Sequence, residues 1–173
     1  MSPGDGAGLP LHGYQPLPEE AILTTTIPAH PSRVLFVSLP VRDPQRSKTF
    51  FERLGFSFHP ELTDESAACM VIGEQAFVML GTHEQFAELS KLPMADPTTH
   101  ALALFCFGVA SRDEVDAVAD AAIAAGGRDH DDAQDHGFMY SRSFFDLDGH
   151  GWQVMWMDPA ADVGQQAQAA AAP

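Results

Sequence analysis

Any chemistry in this chain has to be built from eight histidines, two cysteines and 24 acidic residues. The densest grouping is His130-Asp131-Asp132 with Asp135-His136, imidazoles and carboxylates of the kind that ligate divalent metals. Its spacing fits no ligand template and its acids match the charge of the whole chain, which favours a solvated turn between strands. His150 occupies a turn and reads as exposed, and His100, at the entrance to the second half of the chain, reads as a surface residue. Tyr140 and Arg142 share one strand face. Arg142 suits the anionic group of a ligand, and a structural pair with Asp146 or Asp148 would occupy it equally well. Cys69 and Cys106 lie in apolar segments and read as buried free thiols, and Cys106 has no base beside it in sequence to make it a nucleophile. The sequence contains no Walker A, His-Glu-x-x-His or Cys-x-x-Cys motif. Gly4, Gly6 and Gly8 do not lie between a strand and a helix, so they form no dinucleotide signature.

Those side chains need a scaffold, and the sequence describes one twice. Leu35 to Val41 is an apolar run of strand type, and Asp43-Pro44 then supplies a helix N-cap and a first-turn proline. Phe50, Phe51 and Leu54 fall on one helical face before Gly55. The second half opens the same way. Phe105 to Val109 leads to the capping box Ser111-Arg112-Asp113-Glu114, and Val115, Val118, Ala119, Ala122 and Ile123 recur at helical spacing up to Gly126-Gly127.

Three strand-like stretches follow each helix. They are Phe56 to Phe58, Ala67 to Ile72 and Ala76 to Leu80, then one near Arg128, Phe138 to Phe145 and Trp152 to Met157. The pattern predicts an α+β fold of two βαβββ modules, residues 34–81 and 100–159. A connector, 82–99, joins them, with a short helix through Phe86 and Leu89. A Pro/Gly-rich arm, 1–33, precedes the domain and a flexible Ala/Gln-rich tail, 160–173, follows it.

Alternation along the strands assigns faces. Leu35, Val37, Leu39 and Val41 belong under the first helix, and Phe105, Phe107, Trp152, Val154 and Trp156 under the second. The other faces then carry Phe36, Ser38, Phe77 and Met79 in the first module and Leu104, Cys106, Gln153 and Met155 in the second. Curved by sheet twist, they would line one concave, mostly apolar cavity for a small molecule. The same residues would also serve as plain core or as a subunit contact. Gln153 favours the cavity, because a buried amide needs a hydrogen-bonding partner.

The opening Phe36-Val37-Ser38-Leu39-Pro40-Val41-Arg42-Asp43, the helix end Phe50-Phe51-Glu52-Arg53-Leu54-Gly55-Phe56 and the closing Asp146-Leu147-Asp148-Gly149-His150-Gly151-Trp152-Gln153 stand in order within paired modules. This pattern resembles the vicinal oxygen chelate superfamily of glyoxalase I, bleomycin-resistance and extradiol dioxygenase-like proteins. The resemblance covers about residues 33–159. It implies a curved mixed sheet around a concave cavity. Metalloenzymes of the superfamily carry His or Glu on the inward strands, and the matching positions here are Phe36, Phe77, Leu104 and Gln153. One neutral amide does not hold a catalytic divalent ion. The resemblance therefore implies a protein that binds a small, partly apolar molecule without cofactor or metal. The alternative is a metal-dependent enzyme of the lactoylglutathione lyase or ring-cleavage type. It also implies a homodimer, since superfamily members commonly pair modules across subunits.

Charge and composition narrow the partners. The 173 residues carry nine Lys+Arg against 24 Asp+Glu, a formal charge of −15 that repels nucleic-acid phosphates and anionic membranes alike. The apolar runs are too short to span a bilayer, and the first residues lack the basic and apolar regions of a secretion signal, so a cytoplasmic protein is expected. At 45% hydrophobic with 12 Phe, the chain has apolar material for one sizeable core.

Overall fold

The computed structural model describes residues 33–161. The expected arm and tail lie, but for their innermost residues, outside that range. Strand β1 (Leu35–Val41) runs into helix α1 (Pro44–Arg53), and β2 (Ser57–Phe58), β3 (Ala67–Gly73) and β4 (Ala76–Thr82) complete the first module. Helix α2 (His83–Ser90) lies in the connector. The second module comprises β5 (Leu104–Gly108), α3 (Arg112–Ala124), β6 (Arg128–Asp135), β7 (Met139–Phe145) and β8 (Gly151–Met157).

The sheets have the same plan, β1-β4-β3-β2 and β5-β8-β7-β6. The first and last strands of each module pair in parallel and the other pairs are antiparallel. The fold is therefore α+β with two four-stranded mixed sheets, and they do not close into a barrel.

Local sequence explains each helix. The Asp43 carboxylate accepts the Gln45 and Arg46 N–H groups at 2.9 and 3.1 Å, with Pro44 in the first turn, and Gly55 at φ +93° leads the chain away. Ser111 Oγ caps α3 through Glu114 N–H, while Glu114 reaches past Ser111 to accept the Ala110 N–H at 2.9 Å. Thr82 caps α2, which ends at Lys91 in the left-handed region.

The core lies on the helix side of both sheets. Phe51 of α1 meets Trp152 of β8 at 5.0 Å between ring centres, Phe50 meets Phe144 at 6.4 Å, and Phe56 meets Phe107 at 5.2 Å. These rings join the modules into one buried cluster with Leu39, Val41, Val78 and Leu80. Fully burying side chains of this size contributes about 1.5–3 kcal/mol each.

A second, polar joint ties the modules. Asp148, in the turn before β8, accepts the Arg42 N–H at 3.0 Å and the Ser47 hydroxyl at 3.1 Å, and His150 Nε2 lies 2.8 Å from the Pro40 carbonyl. His150 is 3% exposed, which corrects its reading as an exposed turn residue. An acceptor on the first module recruits the imidazole inward, a long-range pairing that local turn chemistry does not reveal.

Candidate functional site

Each sheet turns one face to its helix and leaves the other open. In the first module Phe36 pairs in register with Phe77 and Ser38 with Met79. The Phe36 and Phe77 rings stack at 5.0 Å with an 18° interplanar angle. In the second, Cys106 pairs with Gln153 and Gly108 with Met155, with Leu104 on the same face beside Gly151. Gln153 finds its partner inside the sheet, donating from Nε2 to Ser141 Oγ at 3.4 Å.

Eight of the nine expected residues thus occupy the open faces. Arg142 does not. It projects on the helix side of β7, where Nη1 lies 3.2 Å from Asp116 and 2.8 Å from Asp120 of α3, and Tyr140 on the same face donates to Asp116 at 2.9 Å. Its carboxylate partners are therefore Asp116 and Asp120 rather than Asp146 or Asp148. Cys106 is exposed rather than buried; Cys69 is buried, and burial pushes its thiol pKa up. His130 to Asp135 lie in strand β6 and His136 just after it, every one exposed, so most of the expected turn is a bulged edge strand.

The eight do not line a single cavity. Ser38 and Met79 form the floor of a 330 Å³ pocket roofed by Gln85, Phe86 and Leu89 of α2. Ser38 and Phe86 also line an adjoining 390 Å³ pocket that runs past Pro40 to Leu92, Met94, Leu102 and Phe105. Phe77, Leu104 and Cys106 line a third, of 230 Å³, between β1 and β5. Phe36, Gln153 and Met155 line none of these, and Phe36 is 50% exposed. Sequence reasoning placed the connector helix but missed its role as a roof. Phe86 and Leu89, three apart on an otherwise polar helix, carried that signal. Gly81 lets the Gln85 side chain approach β4 closely, since an added Cβ would lie 3.2 Å from Gln85 Oε1.

The donor set does not fit a catalytic divalent ion. Phe36, Phe77 and Leu104 offer no donor atom, and Gln153 offers a single neutral amide oxygen, its Nε2 being the atom that bonds Ser141. Among the described residues no three His, Cys, Asp or Glu side chains gather in a metal-holding group.

A model of the Glyoxalase/Bleomycin resistance protein/Dioxygenase superfamily matches residues 33–154, and the chain belongs to that superfamily. Solved structures agree on the fold. A hypothetical protein, SA1046, from S. aureus is 25% identical with a TM-score of 0.62, the match covering 70% of this chain and 91% of that one. A glyoxalase/bleomycin resistance protein/dioxygenase family enzyme from Burkholderia phytofirmans PsJN is 17% identical with a TM-score of 0.60, covering 73% and 99%. A lactoylglutathione lyase from Agrobacterium tumefaciens is 16% identical with a TM-score of 0.53, covering 73% and 94%. No curated protein sequence matches the chain. No helix among the described residues is long and apolar enough to cross a membrane.

Proposed function

We propose that this protein is a cytoplasmic homodimer that binds a small, partly apolar molecule in the cavities between and above its sheets, without a divalent metal. The observation that carries this reading is the Phe36–Phe77 stack, which puts two aromatic rings at two of the four positions where the superfamily's metalloenzymes carry ligands. The adjoining 330 and 390 Å³ pockets are of the size that small ligands occupy, and Ser38, Gln85, Glu88 and Ser90 supply a few polar contacts in otherwise apolar walls. Dimerisation is supported by Leu35, Phe36 and Leu104, each at least half exposed on edge strands.

Elemental analysis of untagged protein, with thermal melts against divalent metals and a panel of apolar small molecules, tests the reading. A ligand at about 100 times its dissociation constant stabilises by about 2.7 kcal/mol, a shift of several degrees. Ser38→Trp, which fills the shared floor, should abolish that shift. A stoichiometric divalent ion, or a melting temperature that rises with metal and with no apolar ligand, would overturn it.

A further inference from the structure

A separate cleft of 460 Å³ lies between the connector and the open face of the second sheet, and its lining is unlike the rest of the molecule. In a chain with 24 acids and nine cations, no carboxylate lines it, whereas Arg128, His100, His130 and His150 do. Arg128 forms no ion pair among the described residues. Its guanidinium carbon instead sits 4.9 Å from the centre of the Phe145 ring, and the His130 ring lies 4.5 Å from the same ring. One aromatic side chain therefore positions two nitrogen-rich groups at the cleft wall. His100 Nδ1 is 2.8 Å from Thr99 Oγ1, and among the described residues no hydrogen bond engages its Nε2.

Among the nearby acids, Asp96 accepts the Thr98 N–H and hydroxyl at 2.9 and 2.7 Å and also interacts electrostatically with His100, and Asp131 pairs with Ser143 one row further along the sheet. The wall is also fixed. A Cβ on Gly149 would meet Thr98 and Pro97 at 3.1 to 3.3 Å, so the connector is pressed against the turn before β8. At Gly151 a Cβ would lie 3.2 Å from Leu104 and 3.7 Å from Phe145, so the glycine lets these two side chains close over it into an apolar floor.

We propose that this cleft binds a small organic anion, a carboxylate or phosphate monoester on an apolar body. Arg128 is its main contact, His130 and His100 are further donors, and Phe145, Leu104 and Gly151 receive the apolar part. A guanidinium without a carboxylate partner offers a fork of donors that matches either anion. The proposal shares no charged residue with the apolar-pocket reading and stands without it.

The test uses the full chain with benzoate and phenyl phosphate as probes and benzyl alcohol as the neutral control, followed by NMR of the histidine ring nitrogens. Saturable shifts at His130 and His100 with either anion, and none with benzyl alcohol, are expected. The anion that binds tells carboxylate from phosphate. Arg128→Gln, at an exposed position, should weaken binding about tenfold or more, and Arg128→Lys should restore part of it. Gly151→Val should block the apolar part without removing the cation. Unchanged binding in R128Q, binding of benzyl alcohol as tight as that of the anions, or no saturation by about 10 mM of either anion would overturn the proposal.

Discussion

Asp146→Asn tests what organises the turn before β8. Asp146 Oδ1 accepts the N–H groups of Asp148, Gly149 and His150 at 2.9, 2.9 and 3.0 Å, and Oδ2 accepts the Trp152 indole N–H at 3.0 Å. Asparagine keeps the shape and loses one acceptor. With its oxygen on the three backbone donors, its NH2 faces the indole N–H, donor against donor; turned over, it orphans three donors instead of one. The first arrangement is cheaper and leaves one buried donor unmet, at a cost of about 1–3 kcal/mol. Loss of charge from the three surviving bonds moves the cost toward the upper end. Burial pushes the Asp146 carboxyl pKa up, against His150 and these hydrogen bonds. A carboxyl that stayed protonated would tolerate asparagine, so the variant also reports the charge state. Urea unfolding at neutral pH with an unchanged m-value measures it. Adding Trp152→Phe removes the opposed donor, so the double variant should lose less than the sum of the two, by about 1 kcal/mol. A D146N protein within about 0.5 kcal/mol of wild type, with no coupling to Trp152, would refute an ionised carboxylate at the centre of the turn.

Two further outcomes follow from single contacts. Arg112 grips Asp135 through two bonds of 2.7 and 2.9 Å and, with the Gly137 N–H, holds its carboxyl pKa at about 2. The folded value lies below the unfolded one, so the linked stability is present above the ordinary value of 3.8 and is lost as pH falls through about 2. A carboxyl NMR titration should find Asp135 ionised near pH 3, and an ordinary midpoint would show that the pair does not persist in solution. Gly127→Ala would set a Cβ 2.8 and 2.9 Å from the carbonyl oxygens of Phe145 and Ala122, and should destabilise by about 1–3 kcal/mol in a thermal melt. An unchanged melting temperature would mean that the end of α3 packs less closely on β7 than described.

What the sequence showed depended on the range of the interaction. Both modules, the caps at Asp43 and Ser111, the connector helix and the face alternation were legible because they rest on spacing and local hydrogen bonding. Side-chain partners across the fold were not. Arg142 could be placed on a face with Tyr140, but the choice between Asp146, Asp148 and the α3 acids Asp116 and Asp120 depends on how the helix crosses the sheet. His150 looked like any turn histidine because its acceptor, the Pro40 carbonyl, is 110 residues away. The basic cleft escaped for a related reason. Arg128 and His130 sit in a run of aspartates, and the bulge between Asp129 and Asp131 departs from the strict alternation that would have sorted imidazole from acid.

One turn fixes a wall of two separate cavities. Asp146 shapes it, Asp148 hands it to Arg42 and Ser47, and His150 holds Pro40, which lines the 390 Å³ apolar pocket. On its other side Gly149 seats the connector at Thr98, a wall of the basic cleft. At the four strand positions where the resemblance implies metal ligands this chain has hydrocarbon and one amide, and one of the four, Leu104, also lines the basic cleft. On the proposed reading, binding therefore depends less on donors at those positions than on how firmly the closing turn holds the connector over the sheets. Loosening the turn through Asp146 should then weaken apolar and anionic probes together, whereas R128Q should affect only the anion.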